Sequence, residues 1–438
     1  MAFDPPVFLG LPSASLFKFP PNNNPAFITP PAPGSSTFAP PVLIPDHIYQ
    51  AVLHPAVPVT IALTYAVTAK LLNKYNISTG KKPWAISKTA AFKWFVVAHN
   101  VFLAVYSAWT FYGMFGALRR TMVNPMGPTG LSGFVESVCR LSGPAGLGNA
   151  ALFDEATNSW ISYSPHAVLA GDGTPSKFDT GRLWNEGLAF YGWIFYLSKF
   201  YEVIDTLIIL AKGKLSSTLQ TYHHAGAMMC MWAGMRYMSA PIWMFAFVNS
   251  GIHAMMYTYY TVTSFNIRVP MFIKRSLTTL QITQFLVGAT YAMLHSFVSY
   301  SVPVASSSIK DAPAAAAASG LASNGSVAHA VGTSIKNGMT YQTVPCISNN
   351  GATFAVWLNV LYLAPLTYLF VSFFIESYLR RSNADKTKKT RRMSNNVVMA
   401  EKAGWEAAKS VNREVYGENK EEAIATGKEN GRVLRNRQ

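Results

Sequence analysis

Short polar strings interrupt the apolar stretches of this chain, and the first carries three charges. Lys199, Glu202 and Asp205 follow one another in steps of three and lead to Thr206. Residues three apart are neighbours on a helix, so these side chains share one broad face. Ionisable groups inside a membrane usually face the bundle interior and mark function. Two interpretations stay open here: an ion-pair network that locks helices together, or direct catalysis.

The second string places an amide and two imidazoles side by side. Gln220, His223 and His224 have the spacing i, i+3, i+4, which gathers them on one helical surface. A lone intramembrane histidine is compatible with a satisfied core residue. Two adjacent histidines beside a glutamine favour a functional site.

The third string forms a stripe along a helix. Asn249, His253 and Tyr257 recur every four residues, so their side chains lie one above the other. The alternative interpretation is an aromatic face that packs against a neighbouring helix and carries its hydroxyls only incidentally. It explains Tyr259, and also Tyr260, better than it explains His253. We therefore interpret the stripe as part of the same site.

The fourth string is a row of hydroxyl and amide side chains. Thr278, Gln281 and Gln284 again step by three. Amides commonly join membrane helices through hydrogen bonds, so interhelical contact competes here with a role in chemistry.

Together the strings predict a chamber in which imidazole acts as a base or a nucleophile. A membrane di-iron desaturase or hydroxylase is the runner-up among enzymes. Its two metals require many imidazoles, whereas His223, His224 and His253 are the histidines, of nine, predicted at the right depth. No Cys/His cluster fits zinc. The sequence therefore predicts metal-free chemistry.

The elements that must position these strings are predicted to be transmembrane helices. Half of the 438 residues are hydrophobic and 13% are charged, against about 25% charged in soluble domains. This composition excludes general disorder, and three cysteines exclude a disulfide scaffold. We predict an all-α bundle of seven transmembrane helices, each roughly 20 residues long. The predicted spans are 52–72, 92–117, 185–210, 217–236, 240–263, 276–300 and 353–377.

The net charge of +16 is typical either of a protein that binds nucleic acid or of a membrane protein with basic cytosolic loops. The positions of the charges along the chain favour the membrane protein. Alternate loops and the tail after the last span are rich in Lys and Arg, which predicts a lumenal N-terminus and a cytosolic C-terminus. The basic residues on the predicted cytosolic side are Lys74, Lys81, Lys82, Lys88, Lys212, Lys214, Arg268, Lys274, Arg275, Arg380, Arg381, Lys386, Lys388, Lys389, Arg391 and Arg392.

Three regions follow from composition. Residues 1–50 form a proline-rich segment, predicted to be a disordered lumenal tail because twelve of the 26 prolines fall in the first 45 residues. Residues 51–379 form the membrane domain, with lumenal loops at 118–183 and 301–352. Residues 380–438 form a basic cytosolic tail.

The predicted lumenal loops carry two cysteines and a glycosylation sequon. Cys139 and Cys346 lie one on each loop, and we predict that they pair in an oxidising compartment. Cys230 lies within a span and is interpreted as a packed apolar residue. Asn324 begins an Asn-Gly-Ser sequon that is open to glycosylation.

The four strings resemble the motifs of the ELO family of fatty acid elongases, the condensing enzymes of the endoplasmic reticulum. Lys199 to Thr206 resembles KxxExxDT, and Gln220 to His224 resembles the HxxHH box. Asn249 to Tyr260 resembles NxxxHxxMYxYY, and Thr278 to Gln284 resembles TxxQxxQ. The resemblance covers about 54–379. Gln220 departs from the histidine of most members, although some members that act on polyunsaturated chains also have glutamine there.

The resemblance implies that long-chain acyl-CoA and malonyl-CoA condense to 3-oxoacyl-CoA, CO2 and CoA inside a bundle that encloses an acyl-chain tunnel. The expected course is an acyl-histidine intermediate on His223, with His224 as a tuning residue or the nucleophile itself. Candidate hydrogen-bond donors to the reacting oxygens are Asn249, His253, Tyr257 and Gln281. Supporting candidates are Lys199, Glu202, Asp205, Gln220, Gln284 and Tyr260, and candidates for the CoA phosphates are Lys212, Lys214, Arg268, Lys274 and Arg275.

The same resemblance implies a multi-pass protein of the endoplasmic reticulum that makes very-long-chain fatty acids without a cofactor. Its expected partners are the bilayer, the two CoA substrates, and the ketoreductase, dehydratase and enoyl reductase of the elongation cycle. A homodimer is compatible with it, and nucleic acid is not expected. A seven-helix receptor or transporter is the non-enzymatic alternative. A receptor does not explain histidines and charges gathered at the cytosolic ends of adjacent spans. A transporter would favour broken helices with midplane sites and an internal repeat, and the sequence shows no repeat.

Overall fold

Helices make up most of the computed structural model, which describes residues 7–31, 40–164, 169–304, 333–336 and 339–375. They begin and end close to the predicted spans. In chain order they are α1 (Asp46–Val52), α2 (Ala56–Ser78), α3 (Ala90–Thr121), α4 (Gly130–Cys139), α5 (Ala189–Tyr201), α6 (Val203–Ala211), α7 (Thr218–Arg236), α8 (Ile242–Met244), α9 (Ser250–Ser264), α10 (Met271–Leu294) and α11 (Asn350–Ile375).

Three of these helices are long and apolar enough to cross a bilayer by length and composition: α2, α3 and the Asn350–Ser372 part of α11. The structure therefore supports the coarser part of the prediction, a mostly helical membrane protein. The described residues contain three candidate spans of the seven that were predicted. Of the other described helices, only α7 and α10 have the length of a span, and the polar strings that they carry lower their hydropathy. For example, Gln220, His223 and Arg236 all lie on α7, which has only 19 residues.

Two of the predicted spans are interrupted at the positions of site residues. Residues 185–210 divide at Glu202, where α5 ends and α6 begins. Before α9, the backbone makes a π-helical turn over Phe245–Asn249. Such turns are rare in proteins, and those that occur are often found at functional sites.

Helix α7 lies at the centre of the bundle and packs against α2, α5 and α11, while α3 packs along α9. A glycine allows α7 and α11 to approach closely. A Cβ at Gly226 would lie 2.2 Å from the ring of Tyr362 on α11. This close approach brings Tyr362 beside the imidazoles of α7.

Two small antiparallel sheets, which the sequence analysis did not predict, lie on the connections. One pairs β2 (Leu152–Asp154) with β3 (Ser159–Ile161). The other has the order β1-β4-β6-β5 and joins β1 (Val7–Leu9), β4 (Val298–Val304), β5 (Thr333–Lys336) and β6 (Met339–Pro345). The predicted span 276–300 therefore ran too far, because its end belongs to β4.

The prediction of a disordered N-terminal tail is wrong for residues 7–31 and 40–50. Strand β1 extends the sheet beside β4, and Ile28 is buried. The backbone groups of this segment find partners on the main body: the carbonyl of Ile28 accepts from Trp184 Nε1 at 2.8 Å, and the amide of Asn22 donates to Asn350 Oδ1 at 2.9 Å. Proline-rich backbone has few conformations to lose on ordering, which favours this extended packing.

The two cysteines of the long connections are bonded to each other. Cys139 at the end of α4 and Cys346 after β6 have sulfur atoms 2.00 Å apart, and Cys230 is buried in α7. Beside the disulfide, Arg140 donates to Tyr300 through Nε at 3.1 Å and to the carbonyl of Pro345. The sequon at Asn324 and the basic tail 380–438 lie outside the described residues.

Candidate active site

The start of α7 presents the Gln220–His224 string to the interior. Ser217 caps the helix, and its hydroxyl accepts the amide of Gln220 at 3.1 Å. This cap places Gln220, His223 and His224 in the first two turns. The Gln220 side-chain amide donates to Thr206 Oγ1 at 3.1 Å. Glutamine at this position therefore supplies a hydrogen-bond donor that ties α7 to α6.

The hydrogen bonds of His223 determine which ring nitrogen carries its proton. The hydroxyl of Tyr362 lies 2.9 Å from the backbone carbonyl of His223 and 3.0 Å from Nδ1. A carbonyl only accepts, so the hydroxyl donates its proton there and accepts from Nδ1–H. In the neutral ring Nε2 then keeps its lone pair. No described residue bonds to Nε2, and His223 lines the central cavity.

Glu202 joins the charged string to the other two imidazoles. Its Oε1 accepts from Lys199 Nζ at 2.7 Å and from Ser198 at 3.1 Å. His253 Nδ1 lies 3.4 Å from Oε1, and His224 Nδ1 lies 4.0 Å from Oε2. Both Lys199 and Glu202 are buried. The charged face therefore contains an ion pair, and its carboxylate lies directly beside two imidazoles of the candidate site.

The π-helical turn before α9 brings Asn249 between two other helices. Its Oδ1 accepts from Lys199 Nζ at 3.3 Å, and its Nδ2 donates to Gln284 Oε1 at 3.2 Å. Asn249 thus links α5, α9 and α10 at the wall of the cavity.

A histidine that the sequence analysis set aside completes the site. His99 on α3 lies with Nε2 2.8 Å from Asp205 Oδ1, and Tyr257 donates to the other oxygen of Asp205 at 2.5 Å. His99 is 2% exposed. The prediction that only His223, His224 and His253 lie at the right depth is therefore wrong, because α3 packs along α9 and places His99 beside Asp205.

Several of these side chains line one cavity of about 180 Å³. All four polar strings contribute to its wall. A smaller apolar cavity of about 40 Å³ shares part of this wall and extends among Phe195, Met231 and Leu363. The polar residues that line the larger cavity are Asp205, Ser217, Gln220, His223, His224, Asn249, His253, Tyr257, Tyr260, Thr278, Gln281 and Gln284.

The structure gives different positions to the candidate donor Gln281 and to the supporting candidates Lys199 and Glu202. Gln281 donates to Met256 Sδ at 3.2 Å, which matches the alternative role of an amide that joins helices. Lys199 borders the apolar cavity rather than the polar one. Glu202 lines neither of them and lies behind His224 and His253.

The four basic candidates whose side chains the structure describes fall into two separate groups. Lys212 and Lys214 are in the connection between α6 and α7, directly before Leu215 at the cavity wall. Arg268 instead lines a separate apolar groove, and Lys274 lies 5.8 Å from the ring of Tyr259. The side chain of Arg275 is outside the described part of the structure.

The donor atoms of the site do not converge as metal ligands. Within the described ranges, the His, Cys, Asp or Glu ligand atoms that come within 4.8 Å of one another in a group of three or more belong to Cys139, His295 and Cys346. The two sulfurs of that group are already bonded to each other. The imidazoles of the cavity therefore do not form the cluster that a di-iron centre requires.

Tyr362, His99, Tyr65 and Thr206 are site residues that sequence reasoning missed or assigned no chemical role. Tyr65 on α2 hydrogen-bonds Thr206 at 2.9 Å and meets the ring of His224 edge-on. Neither Tyr65 nor Tyr362 belongs to a polar string, so no spacing signal marks them. His99 offered the signal of a histidine within a predicted span.

Comparisons with known proteins identify the family to which these motifs belong. Residues 50–386 match the ELO: GNS1/SUR4 family. The chain is 34% identical over 110 residues to very long chain fatty acid elongase 3 of Homo sapiens, covering 25% of this chain and 41% of that protein. It is 27% identical over 208 residues to long chain fatty acid elongase 1 of Caenorhabditis elegans, covering 47% and 57%.

A third relative is very long chain fatty acid elongase 7 of Drosophila melanogaster, 25% identical over 254 residues that cover 57% of this chain and 60% of the fly protein. The chain thus spans about two fifths to three fifths of the length of these curated relatives. No solved structure matches it. The family match extends over most of the chain and includes all four polar strings. The chain belongs to the ELO: GNS1/SUR4 family.

Proposed function

We propose that this protein is a fatty acid elongase condensing enzyme, a 3-oxoacyl-CoA synthase that joins long-chain acyl-CoA to malonyl-CoA. The observation that carries the proposal is the convergence of all four polar strings on one cavity, with the lone pair of His223 Nε2 available there. The family and the elongase names of the relatives support the same reaction.

In the first step, His223 Nε2 attacks the thioester carbonyl of acyl-CoA. The N–C bond forms, the C–S bond breaks, and CoA leaves as a thiolate that takes up a proton. Acyl transfer to imidazole divides a difficult condensation into two easier steps. Tyr362 keeps the proton of the attacking ring on Nδ1, so its role is to hold the reactive tautomer. His224 would tune its neighbour through its position beside Glu202.

In the second step, malonyl-CoA loses CO2, and the electron pair of the broken C–C bond becomes an enolate. The enolate carbon attacks the acyl carbonyl, the N–acyl bond breaks, and His223 is regenerated. Negative charge develops on two oxygens, which need donors already in place. Asn249, His253, Tyr257 and Gln281 line the cavity and are the candidate donors. The Tyr257 hydroxyl donates to Asp205 in this structure, so it would serve a reacting oxygen only after turning away from that carboxylate. His99 would act as a positioning residue, because it holds Asp205 and through it the hydroxyl of Tyr257.

We assign the acyl chain to the apolar cavity beside His223, which would be the start of a tunnel through the bundle. The proposed setting is the endoplasmic reticulum membrane, crossed by seven helices of the 51–379 domain with the N-terminus lumenal and the C-terminus cytosolic. The reaction needs no metal or cofactor besides its two substrates. Its product, a 3-oxoacyl-CoA, would pass to the ketoreductase, dehydratase and enoyl reductase of the cycle.

Lys212 and Lys214 lie in the connection that leads to Leu215 at the cavity wall, and we assign them to the CoA phosphates. Burial, and then the charge of Lys214, lower the pKa of Lys212 to about 8. A phosphate binds the protonated amine, so affinity should be full well below pH 8 and decline as the pH rises through it. We expect the KM for malonyl-CoA to rise several-fold, up to about ten-fold, between pH 7 and pH 9.

The control for that pH effect is Lys212→Arg, whose guanidinium stays charged throughout this range. The ratio of wild-type to variant KM, measured at each pH, removes contributions from other titrating groups. A ratio that stays constant from pH 7 to pH 9 would exclude Lys212 from phosphate binding.

The proposed reaction is tested with the purified full chain in lipid nanodiscs. Acyl-CoA of 16 to 22 carbons, saturated or polyunsaturated, is supplied with carbon-13-labelled malonyl-CoA. The expected product is a labelled 3-oxoacyl-CoA two carbons longer, formed without added metal and resistant to chelators. Absence of condensation with every chain, together with chelator-sensitive desaturation or hydroxylation of the acyl group, would overturn the proposal in favour of an oxidative enzyme.

A further inference from the structure

An apolar groove of about 760 Å³ lies on the outside of the bundle, apart from the candidate active site. Its wall comes from α3, α9, the connection after α9, and the start of α10. Several of its large side chains are exposed, including Val105, Met255 and Ile267. Helix α3 is one of the candidate spans, so this face of the protein must contact lipid in a membrane.

One end of the groove carries a cation. Arg268 lines the groove, is exposed, and makes no hydrogen bond or ion pair with any described residue. Local backbone geometry fixes its position. Asn266 adopts a left-handed conformation (φ 59°) that ends α9, and Pro270 directly precedes α10. These two residues hold Arg268 in a short connection at the groove's end.

The chemistry of the groove matches a lipid that has a negatively charged head. The apolar wall between Ala254 and Val262 runs along α9 for about 12 Å at 1.5 Å per residue, which accommodates part of an acyl chain. The Arg268 guanidinium fits a phosphate with two parallel hydrogen bonds. Lys274, which lies against the Tyr259 ring of the same wall, adds a second positive charge.

We propose that this groove is a specific binding site for one anionic phospholipid, with an acyl chain between α3 and α9 and the phosphate at Arg268. The proposal depends on the membrane location and not on the condensation reaction. It also explains why Arg268, a candidate for the CoA phosphates in the sequence, lines this groove instead of the reaction cavity.

Native mass spectrometry of the full chain in detergent tests the site, with dioleoyl phosphatidylglycerol and dioleoyl phosphatidylcholine as probes. We expect tighter binding of phosphatidylglycerol, weakened about five-fold by Arg268→Gln, which corresponds to one charge near an anionic headgroup. Lys74→Gln removes an exposed charge from α2, outside the groove, and should leave binding unchanged. Filling the wall with Ala104→Phe and Ala108→Phe should weaken both lipids while Arg268 is intact.

Equal binding of the two lipids would overturn the proposal, as would equal effects of Arg268→Gln and Lys74→Gln. Palmitoyl-CoA provides a separate arm of the experiment. If it displaces phosphatidylglycerol from the wild type but not from the Arg268→Gln variant, the groove holds the substrate and the phospholipid assignment is wrong. Inorganic phosphate should not displace the lipid, because it lacks the acyl chain that the groove contacts.

Discussion

Replacing His223 with alanine is expected to lower kcat for condensation by about 10³-fold or more, the scale seen when a catalytic nucleophile is removed. The wild type incubated with acyl-CoA alone should gain the acyl mass on His223, and the variant should gain none. Peptide mass spectrometry after rapid acid quenching measures the adduct. Because the His223 side chain lines a cavity, its truncation should leave the thermal midpoint nearly unchanged.

A second substitution tests the tautomer of His223 while leaving the nucleophile itself in place. Tyr362→Phe keeps the ring that packs against Gly226 but removes the hydroxyl that accepts Nδ1–H. The imidazole then populates both tautomers, and we expect a loss of about ten-fold to a hundred-fold in kcat, with the adduct still on His223. An acyl adduct on His253 or His224 in the His223→Ala protein, with kcat retained, would contradict the assignment of the nucleophile.

The buried pair of Lys199 and Glu202 should give the largest effect on stability. Glu202→Gln leaves the Lys199 ammonium buried with Asn249 as a neutral partner, and removal of one partner from such a pair costs about 3–5 kcal/mol. Lys199→Met should cost less, because Glu202 keeps His253 at 3.4 Å. Thermal unfolding in detergent, followed by tryptophan fluorescence, measures both variants.

The double variant Lys199→Met, Glu202→Gln distinguishes the two interpretations of the charged string. It leaves no unpaired charge, so its thermal midpoint should return most of the way to that of the wild type. If the pair only locks helices together, kcat should return with stability. We expect kcat to stay low, because the carboxylate beside His224 and His253 is absent. Recovery of both would assign the pair to structure alone.

The polar strings are visible in the sequence by themselves. Each string is local: Gln220, His223 and His224 share a face because a helix repeats every 3.6 residues, and the apolar residues around them predict burial. The position of the candidate site therefore followed from spacing alone. So did the helices, whose bounds differ from the predicted spans by a few residues at most ends. The larger differences are at the end of α2, at the start of α9, which follows the π-helical turn, and at both ends of α10, after which the chain enters β4.

The partners of the strings were not visible, because they come from distant parts of the chain. Tyr362 lies 139 residues from His223, and His99 lies 106 residues from Asp205. No local period relates such positions. The ordering of the proline-rich segment was missed for the same reason, since β1 pairs with β4, nearly 300 residues away.

The sequence by itself determined a helical membrane protein, the family motifs, and the residue types that bring imidazole chemistry to one depth. These depend on composition and on helical periodicity, which are properties of neighbouring residues. The tertiary structure alone decided that Tyr362 fixes the proton of His223, that His99 holds Asp205, and that Arg268 lies outside the cavity. Those outcomes depend on which helices pack together, and close packing of side chains from distant segments is what gives each nitrogen and carboxylate its particular partner.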